Sequence, residues 1–358
     1  MNEHISQIVD HVFSCFEQKT PRIVFTPTVC VDQVVHVDDL SSERGKISGW
    51  QERLGGGAIH GAFVSASLGY RSSEFLGFLG ETEIRLIHAM SESTHVRPVV
   101  GHVNAHTRRS LVLENGSRNQ KFTTPPNFSP DALQALAQSV ASRKLSGSDW
   151  IMACSFYPQI IFEIFDKAPN LFLDAGYNEE RIKGRYLSQL IERIQSSSLS
   201  NFILAGNGFE IAKVAEELGL RTNSSIFFYG QAVADEIARK TGKRSSVVFH
   251  EPDHCTAFAA GDMVENWWVS TFEIEPKRSC NAGDTYNGAW LPAYAATGNF
   301  VAASIFGVVS TCKRLADDEL PNRENVMQFL SRAKSKAADM RISPVDAAHL
   351  ARAFIRAG

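Results

Sequence analysis

The run Cys280-Asn281-Ala282-Gly283-Asp284, leading at once into the helix-like stretch TYNGAWLPAYAATG, holds the residue types that phosphoryl transfer requires. Small residues over 281–283 let the backbone turn tightly into a helix N-terminus. Free N–H groups and the helix dipole make such a turn an anion site. A carboxylate in the same turn, Asp284, does nothing to hold an anion. It has a use if it takes the proton from a hydroxyl that attacks the anion, which completes a set of cradle, nucleophile and base. The alternative is an ordinary helix start, because acids are common in first turns.

Two further groups suit the same chemistry. Asn207-Gly208-Phe209-Glu210 follows the apolar run NFILA and opens the helix-like EIAKVAEELG. Ligands of open α/β sheets bind off the carboxyl ends of strands, which puts Asn207 and Glu210 at the functional edge. An amide and a carboxylate at that spacing offer hard oxygens for Mg²⁺, with nucleotide phosphates filling its shell. The same spacing also reads as a capping box. Nearer the front, Asp32 lies just after the first strand, followed by the glycine turn Gly55-Gly56-Gly57. An acid beside a closely approachable backbone suits the hydroxyls of a polyol; a turn acid and a glycine loop with no ligand is the other reading.

The elements that must position these residues show in the apolar pattern. Ile5, Ile8, Val9, Val12, Phe13 and Phe16 predict an amphipathic helix over 3–18. The run RIVFT (22–26) is the first strand, residues 55–69 a helix behind a glycine turn, and EFLGFLG (74–80) a buried strand. Residues 32–53 and 95–125 alternate apolar and polar, as strands with one wet face do, and are expected to form a small inserted antiparallel sheet. Beyond Pro130, buried-type strands at 149–155, 170–174, 201–205 and 246–250 alternate with helical segments at 131–143, 158–167, 180–197, 210–219 and about 231–241. That alternation implies a mainly parallel sheet with helices on both faces. After Asp284 the chain is expected to be mostly helical to its end.

Composition narrows the class. At roughly 150 residues per domain, 358 residues make two units or one large α/β domain with an insertion. A net charge of −3 leaves no average basic face for nucleic acid. The six cysteines form no C-x-x-C pair, so neither a zinc site nor a disulfide framework is indicated, and a reducing, cytoplasmic setting is expected. Neither a membrane-span-length apolar run nor a signal-peptide pattern is present.

With Asp32, Gly55-Gly56, Asn207-x-x-Glu210 and Ala282-Gly283-Asp284 in this order, the chain resembles the ribokinase-like (pfkB) carbohydrate kinases from about residue 22 to 315. The resemblance implies a three-layer αβα sandwich with a small β lid. The large domain would comprise 21–33, 54–94 and 126–358, the lid 34–53 and 95–125, with residues 1–20 as a preceding helix. It implies Asp284 as catalytic base, Asn281, Ala282 and Gly283 as the anion hole, and Asn207 and Glu210 as organisers of Mg²⁺, with Glu210 a direct or water-mediated ligand. Asp32, Gly55, Gly56, Gly57 and His60 would line the acceptor pocket. The opening TPTVCVDQVVHVDDL and the pair Thr107-Arg108 resemble the branch that includes 1-phosphofructokinase and tagatose-6-phosphate kinase. In that branch Arg108 would meet a substrate phosphate, as a guanidinium fork can; an ordinary strand-end arginine is the alternative.

The chain departs from the family pattern at several positions. His60 stands for Asn, Gly57 for a common Lys, Asn281 for Gly and Arg278 for an acid, and Glu251-Pro252-Asp253-His254 replaces a glycine-bearing segment. The expected function is an ATP-dependent kinase of a sugar or sugar phosphate, with a homodimer through the lid as an assembly the resemblance allows. A catalytically silent sugar- or nucleotide-sensing protein on the same fold, or a nucleoside kinase, are the competing readings. Retention of Asp284, Asn207 and Glu210 together weighs against the silent protein.

Overall fold

Short strands whose successive side chains point to opposite faces need cover on both sides, and the helices between them supply it. The computed structural model describes residues 2–18, 20–27, 29–38, 46–104, 108–115, 118–123, 129–154, 164, 167–176, 185–221, 226–252, 254–260, 266–272, 274–277, 281–336 and 342–345. In chain order the first half holds α1 (Asn2–Phe16), β1 (Ile23–Thr26), β2 (Cys30–Val37), β3 (Ile47–Gly55), α2 (Gly57–Ser67), β4 (Ser73–Leu79), α3 (Glu81–Thr94), β5 (Val99–Asn104), β6 (Arg108–Asn115), β7 (Arg118–Thr123), α4 (Pro130–Ser142) and β8 (Trp150–Cys154). There follow β9 (Asn170–Asp174), α5 (Arg185–Ser196), β10 (Asn201–Gly206), α6 (Gly208–Glu217), α7 (Ile226–Thr241), β11 (Arg244–His250), β12 (His254–Ala259), β13 (Asn266–Ser270), α8 (Ala282–Thr297), α9 (Phe300–Asp317), α10 (Arg323–Lys336) and β14 (Ile342–Val345).

A 10-stranded sheet runs in the order β14-β13-β12-β11-β10-β9-β8-β1-β4-β5. From β5 to β11 neighbouring strands are parallel, and β12, β13 and β14 extend the sheet antiparallel. The period of two sorts the side chains: Phe172 of β9 joins one core with α1, α2, α8, α9 and α10, while its neighbours Leu171 and Leu173 join the other with α4, α5, α6 and α7. Helix α1 buries Val9, Val12, Phe13 and Phe16, with the Phe13 and Phe16 rings set edge-on to Phe306 of α9 at 5.0 and 5.5 Å. The sandwich expected from the alternation of elements is present.

Gly61 of α2 and Gly288 of α8 bring these two helices together. A Cβ on Gly288 would lie 2.7 Å from the Gly61 Cα, so the backbones touch where any side chain would wedge them apart. This contact sets the N-termini of α2 and α8 side by side.

The second sheet has four strands in the order β3-β2-β6-β7. Its extent corrects the expected boundaries. Strand β5, within the segment expected in the lid, pairs in parallel with β4 at the edge of the large sheet. Its apolar–polar alternation comes from that edge position, with Val103 buried and its neighbour His102 exposed. Conversely, residues 30–33 and 54–55, expected in the large domain, pair within the small sheet, so Asp32 is a lid-strand residue. On one face of the lid, Val34 and Val112 are buried. The other face presents Ile47, Trp50, Leu111 and Phe122, each between 40% and 69% exposed, with Leu111 directly opposite Phe122.

Three strands have no counterpart in the sequence reading. β12 and β13 follow β11 as antiparallel strands, and β14 interrupts the C-terminal region expected to be helical. The helix expected at 158–167 lies outside the described residues except for Ile164 and Lys167.

Candidate active site

Strands β9, β10 and β11 lie side by side and end together, with Asp174 in register with Ala205 and Gly206 with Phe249. The first residues beyond them therefore meet at one edge. Asn207 opens α6 there, and Glu251 follows β11.

The N-terminus of α6 is satisfied by the protein itself. Asn207 Oδ1 accepts from the Glu210 N–H at 3.0 Å, and Glu210 Oε2 accepts from the Asn207 N–H at 2.8 Å. This is the capping box that the spacing allowed as its alternative reading. Glu251 Oε1 accepts from the Gly208 N–H at 2.7 Å. Two carboxylates and an amide thus occupy the donors that could otherwise hold an anion.

The N-terminus of α8 differs. Asn281 is in the left-handed region, at φ 64° and ψ 22°, and its side chain caps no helix N–H. Asp284 lies in the first turn. Helix α2 begins after Gly56, at φ 107°, again with no side-chain cap. Through the Gly61–Gly288 contact, two helix N-termini whose N-cap residues give no side-chain capping bond converge, and their dipoles add at one place.

Between these two turns lies His60, 6% exposed. Its Nε2 is 2.8 Å from the Leu54 carbonyl oxygen and 3.1 Å from Asn281 Nδ2. The ring edge expected to face an acceptor near Asp32 is instead engaged by the lid strand β3 and by the first residue of the expected anion hole. Behind that hole is His250, whose Cε1 would lie 3.1 Å from a Cβ on Gly283. Burial pushes the His250 imidazole down to about 4, so the ring is neutral at physiological pH.

Asp174 is the residue the sequence reading missed. Burial, then the nearby charges of Glu210 and Asp284, hold its carboxyl well above the usual carboxylate range. The Gly176 N–H, donating to Oδ1 at 3.3 Å, opposes this in part. So does the buried amide of Asn287, which is near enough to act on the carboxylate without being aligned for a regular hydrogen bond. A signal was available: NLFLD ends a strand in an acid at the same carboxyl edge that singled out Asn207. The charges of Glu210 and Asp284 therefore both act on Asp174 at this edge. Such a set suits a divalent cation, although among the described residues no three His, Cys, Asp or Glu side chains are already arranged to hold a metal.

The Asp32 carboxylate lies against the glycine turn: a Cβ on Gly55 would come 2.3 Å from its Oδ2. The Cys30 thiol donates to Asp32 Oδ1 at 3.2 Å. Arg108 begins β6 in register with Cys30, two positions before Ser110, the partner of Asp32. The side chain of Arg108, and all of Arg278 and Asp253, lie outside the described residues. The structure brings Asn281–Asp284, His60, Asn207 and Glu210 to one edge, with Asp32 and the glycine turn at the root of the lid.

Compared as a sequence, the chain matches no protein-family model and no curated protein. Compared as a structure, it is similar to phosphofructokinase-2 from Escherichia coli, with a TM-score of 0.66 and 15% identity over 88% of this chain and 99% of that one. It is also similar to the ribokinase from Thermotoga maritima, with a TM-score of 0.64 and 18% identity over 87% and 99%. A third similar structure is the nucleoside kinase of Methanocaldococcus jannaschii, an archaeal member of the ribokinase family, with a TM-score of 0.56 and 15% identity over 88% and 99%. The fold is the ribokinase-like αβα sandwich. It spans nearly the whole length of each of these proteins.

The strained carboxyl at Asp174 makes a measurable prediction. An acid whose folded pKa is raised costs nothing below its unfolded value, destabilises progressively as pH rises from the unfolded value to the folded one, and carries the full penalty above it. Asp174→Asn keeps an Oδ1 acceptor and removes the charge. In metal-free buffer it should raise the melting temperature over wild type, by more at pH 8 than at pH 5. An equal or reversed difference at the two pH values would show that Asp174 carries no such burden.

Proposed function

We propose that the protein is an ATP-dependent carbohydrate kinase, transferring the γ-phosphate of Mg-ATP to a hydroxyl of a sugar or sugar phosphate. The observation that carries this reading is Asp284 in the first turn of α8, whose N-terminus has no side-chain cap and lies beside that of α2. The similarity in fold to a phosphofructokinase and a ribokinase supports it.

In this reading the acceptor lies between the lid and the large sheet. Asp32 and the backbone of Gly55, Gly56 and Gly57 hold its hydroxyls, and His60 backs the turn. The reacting hydroxyl gives its proton to the Asp284 carboxylate while its oxygen bonds to the γ-phosphorus. The bond from that phosphorus to the β–γ bridging oxygen breaks, and ADP leaves with the electron pair. Amides of 282–284 face the γ-phosphate oxygens, where negative charge spreads in the transition state. Glu210 would hold Mg²⁺, directly or through water, with Asn207 beside it, and the charges of Glu210 and Asp284 acting on buried Asp174 fit a dication there. When bound, Mg²⁺ supplies charge neutralisation on the donor phosphates. Arg108 would pair with a phosphate already on the acceptor.

The exposed apolar face of the lid, with Ile47, Trp50, Leu111 and Phe122, supports a homodimer formed lid to lid. The buried cysteines Cys30, Cys255 and Cys312 are not in disulfides, in keeping with a cytoplasmic protein. One observation favours a second reading, a sensing protein on the same fold that binds without turnover. Glu251 plants a carboxylate at the start of α6, on the side where a triphosphate would approach. A nucleoside acceptor is the third reading, and the same assay includes it.

The deciding experiment is a phosphoryl-transfer screen over sugars, sugar phosphates and nucleosides with ATP and ADP as donors. Asp284→Asn should keep the fold and nucleotide binding in a thermal-shift assay while turnover falls on the order of 100- to 10,000-fold, the usual share of a general base. Near-normal turnover would remove Asp284 from that role, and no transfer to any acceptor would favour the sensing protein.

Arg108→Ala tests the acceptor's charge. Binding of sugar phosphates should weaken by about 2 kcal/mol, the size of a charge-assisted pair, with free sugars little affected. Equal losses for both kinds of acceptor would leave a kinase of unphosphorylated sugars. For the assembly, Trp50→Lys should convert a dimer into a monomer in sedimentation at unchanged melting temperature. A wild-type protein that is already monomeric at micromolar concentration would rule the lid-to-lid contact out.

A further inference from the structure

Asn is a preferred N-cap residue because its side-chain oxygen accepts from the N–H of the second or third helical residue, with the backbone in the extended region. Asn281 stands at the N-cap of α8 and does neither: its backbone is left-handed, and its side chain makes no capping bond. The side chain goes elsewhere. Its amide lies 3.1 Å from His60 Nε2, a contact between residues 221 positions apart. His60 is buried in α2 and cannot follow the amide outward.

The same ring nitrogen is 2.8 Å from the carbonyl oxygen of Leu54, in the last turn of lid strand β3 before the glycine turn. A carbonyl only accepts, so the shorter contact places the proton on Nε2. The Asn281 amide, whose two ends are assigned by their partners, then meets that N–H through its oxygen. This oxygen is the atom an ordinary N-cap would turn onto the helix. One imidazole N–H thus engages both the lid strand and the one side chain best placed to cover the α8 amides.

We infer that His60 is a positioning residue that keeps the anion hole open, by holding the Asn281 side chain away from the N–H groups of its own helix. His60 and Asn281 are two departures from the sequence pattern of the family the chain resembles, and they contact each other. An Asn at this turn without the histidine would relax to the extended conformation and cap Gly283 or the residue after it. Because Leu54 shares the N–H, opening of the hole is tied to the seat of β3, and so to the lid. The inference rests on the proposed role of 281–284 as an anion hole, but its first readout does not require turnover.

The test uses the full chain and three variants. In His60→Ala, hydrogen exchange of the first-turn amides of α8, Gly283 among them, should slow by roughly fivefold, the size of an ordinary N-cap bond. If the protein transfers phosphate, kcat should fall by a similar factor at unchanged acceptor KM, since only the open fraction is competent. Asn281→Gly cannot cap. In the double variant His60→Ala/Asn281→Gly, exchange should return to the wild-type rate. Unchanged exchange in His60→Ala, or failure of Asn281→Gly to reverse the change, would overturn the inference. Should His60→Ala fail to fold, His60→Gln, which can still donate to Leu54, should keep wild-type exchange. The ¹⁵N imidazole spectrum of the unaltered protein provides an independent check: a proton on Nε2 of His60 supports the proposal, and a bare Nε2 refutes it. A protein that transfers no phosphate but passes the exchange test would sink the kinase reading and leave the positioning role standing.

Discussion

The cleft depends on one steric fact, the backbone contact between Gly61 and Gly288. With 2.7 Å between a notional Cβ at 288 and the Gly61 Cα, no other residue pair lets α2 and α8 approach so closely. Gly61 is constrained on its other side too, since a Cβ there would meet the Phe25 ring at 2.9 Å. The three elements β1, α2 and α8 are therefore fixed against one another near their active ends. Overpacking a well-packed interior typically costs about 1–3 kcal/mol. From this contact follow the convergence of two helix N-termini, the placing of His60 beside Asn281, and the position of Asp284 relative to the glycine turn.

Electrostatics then divides the edge into two kinds of helix start. At α6 the protein supplies its own acceptors, Asn207, Glu210 and Glu251, and the dipole is already answered. At α8 and α2 the N-cap residues, Asn281 and Gly56, give no side-chain capping bond. The positive ends of two dipoles lie near the buried Asp174, on which the charges of Glu210 and Asp284 act, so the site suits both an anion and a cation. A metal–nucleotide complex meets both needs together, which is why the kinase reading accounts for more of the geometry than a binding site for a neutral ligand would.

The lid connects to this edge at its root. Asp32 in β2 touches the Gly55 turn, and the Leu54 carbonyl of β3 reaches His60. Farther out, Glu52 pairs with Arg85 of α3 at 3.1 Å, a surface bridge of modest worth that holds the sheet against the large domain. The small sheet is thus tied at its root and carries exposed apolar side chains on one face.

Much was legible in the chain alone. The parallel sheet follows from apolar runs of strand length alternating with helical periods, because those periods are local properties of the backbone. The run NAGD opening a helix, and an acid near a glycine turn, singled out residues that the fold sets at the sheet edge and at the root of the lid. What tertiary structure decided involves partners distant in sequence. Strand β5 alternates like a lid strand because both are half-exposed, and only its pairing with β4 tells them apart. Asn207 and Glu210 form a capping box, a contact within one turn, yet Glu251 joins them from the next strand. Asp174 matters because folding brings Glu210 and Asp284 beside it. His60 and Asn281 each read as an isolated oddity; the fold puts them 3.1 Å apart across 221 positions. Local periodicity is written in neighbouring residues, whereas the charge and hydrogen-bond partners of a site are set by which elements the packing brings together.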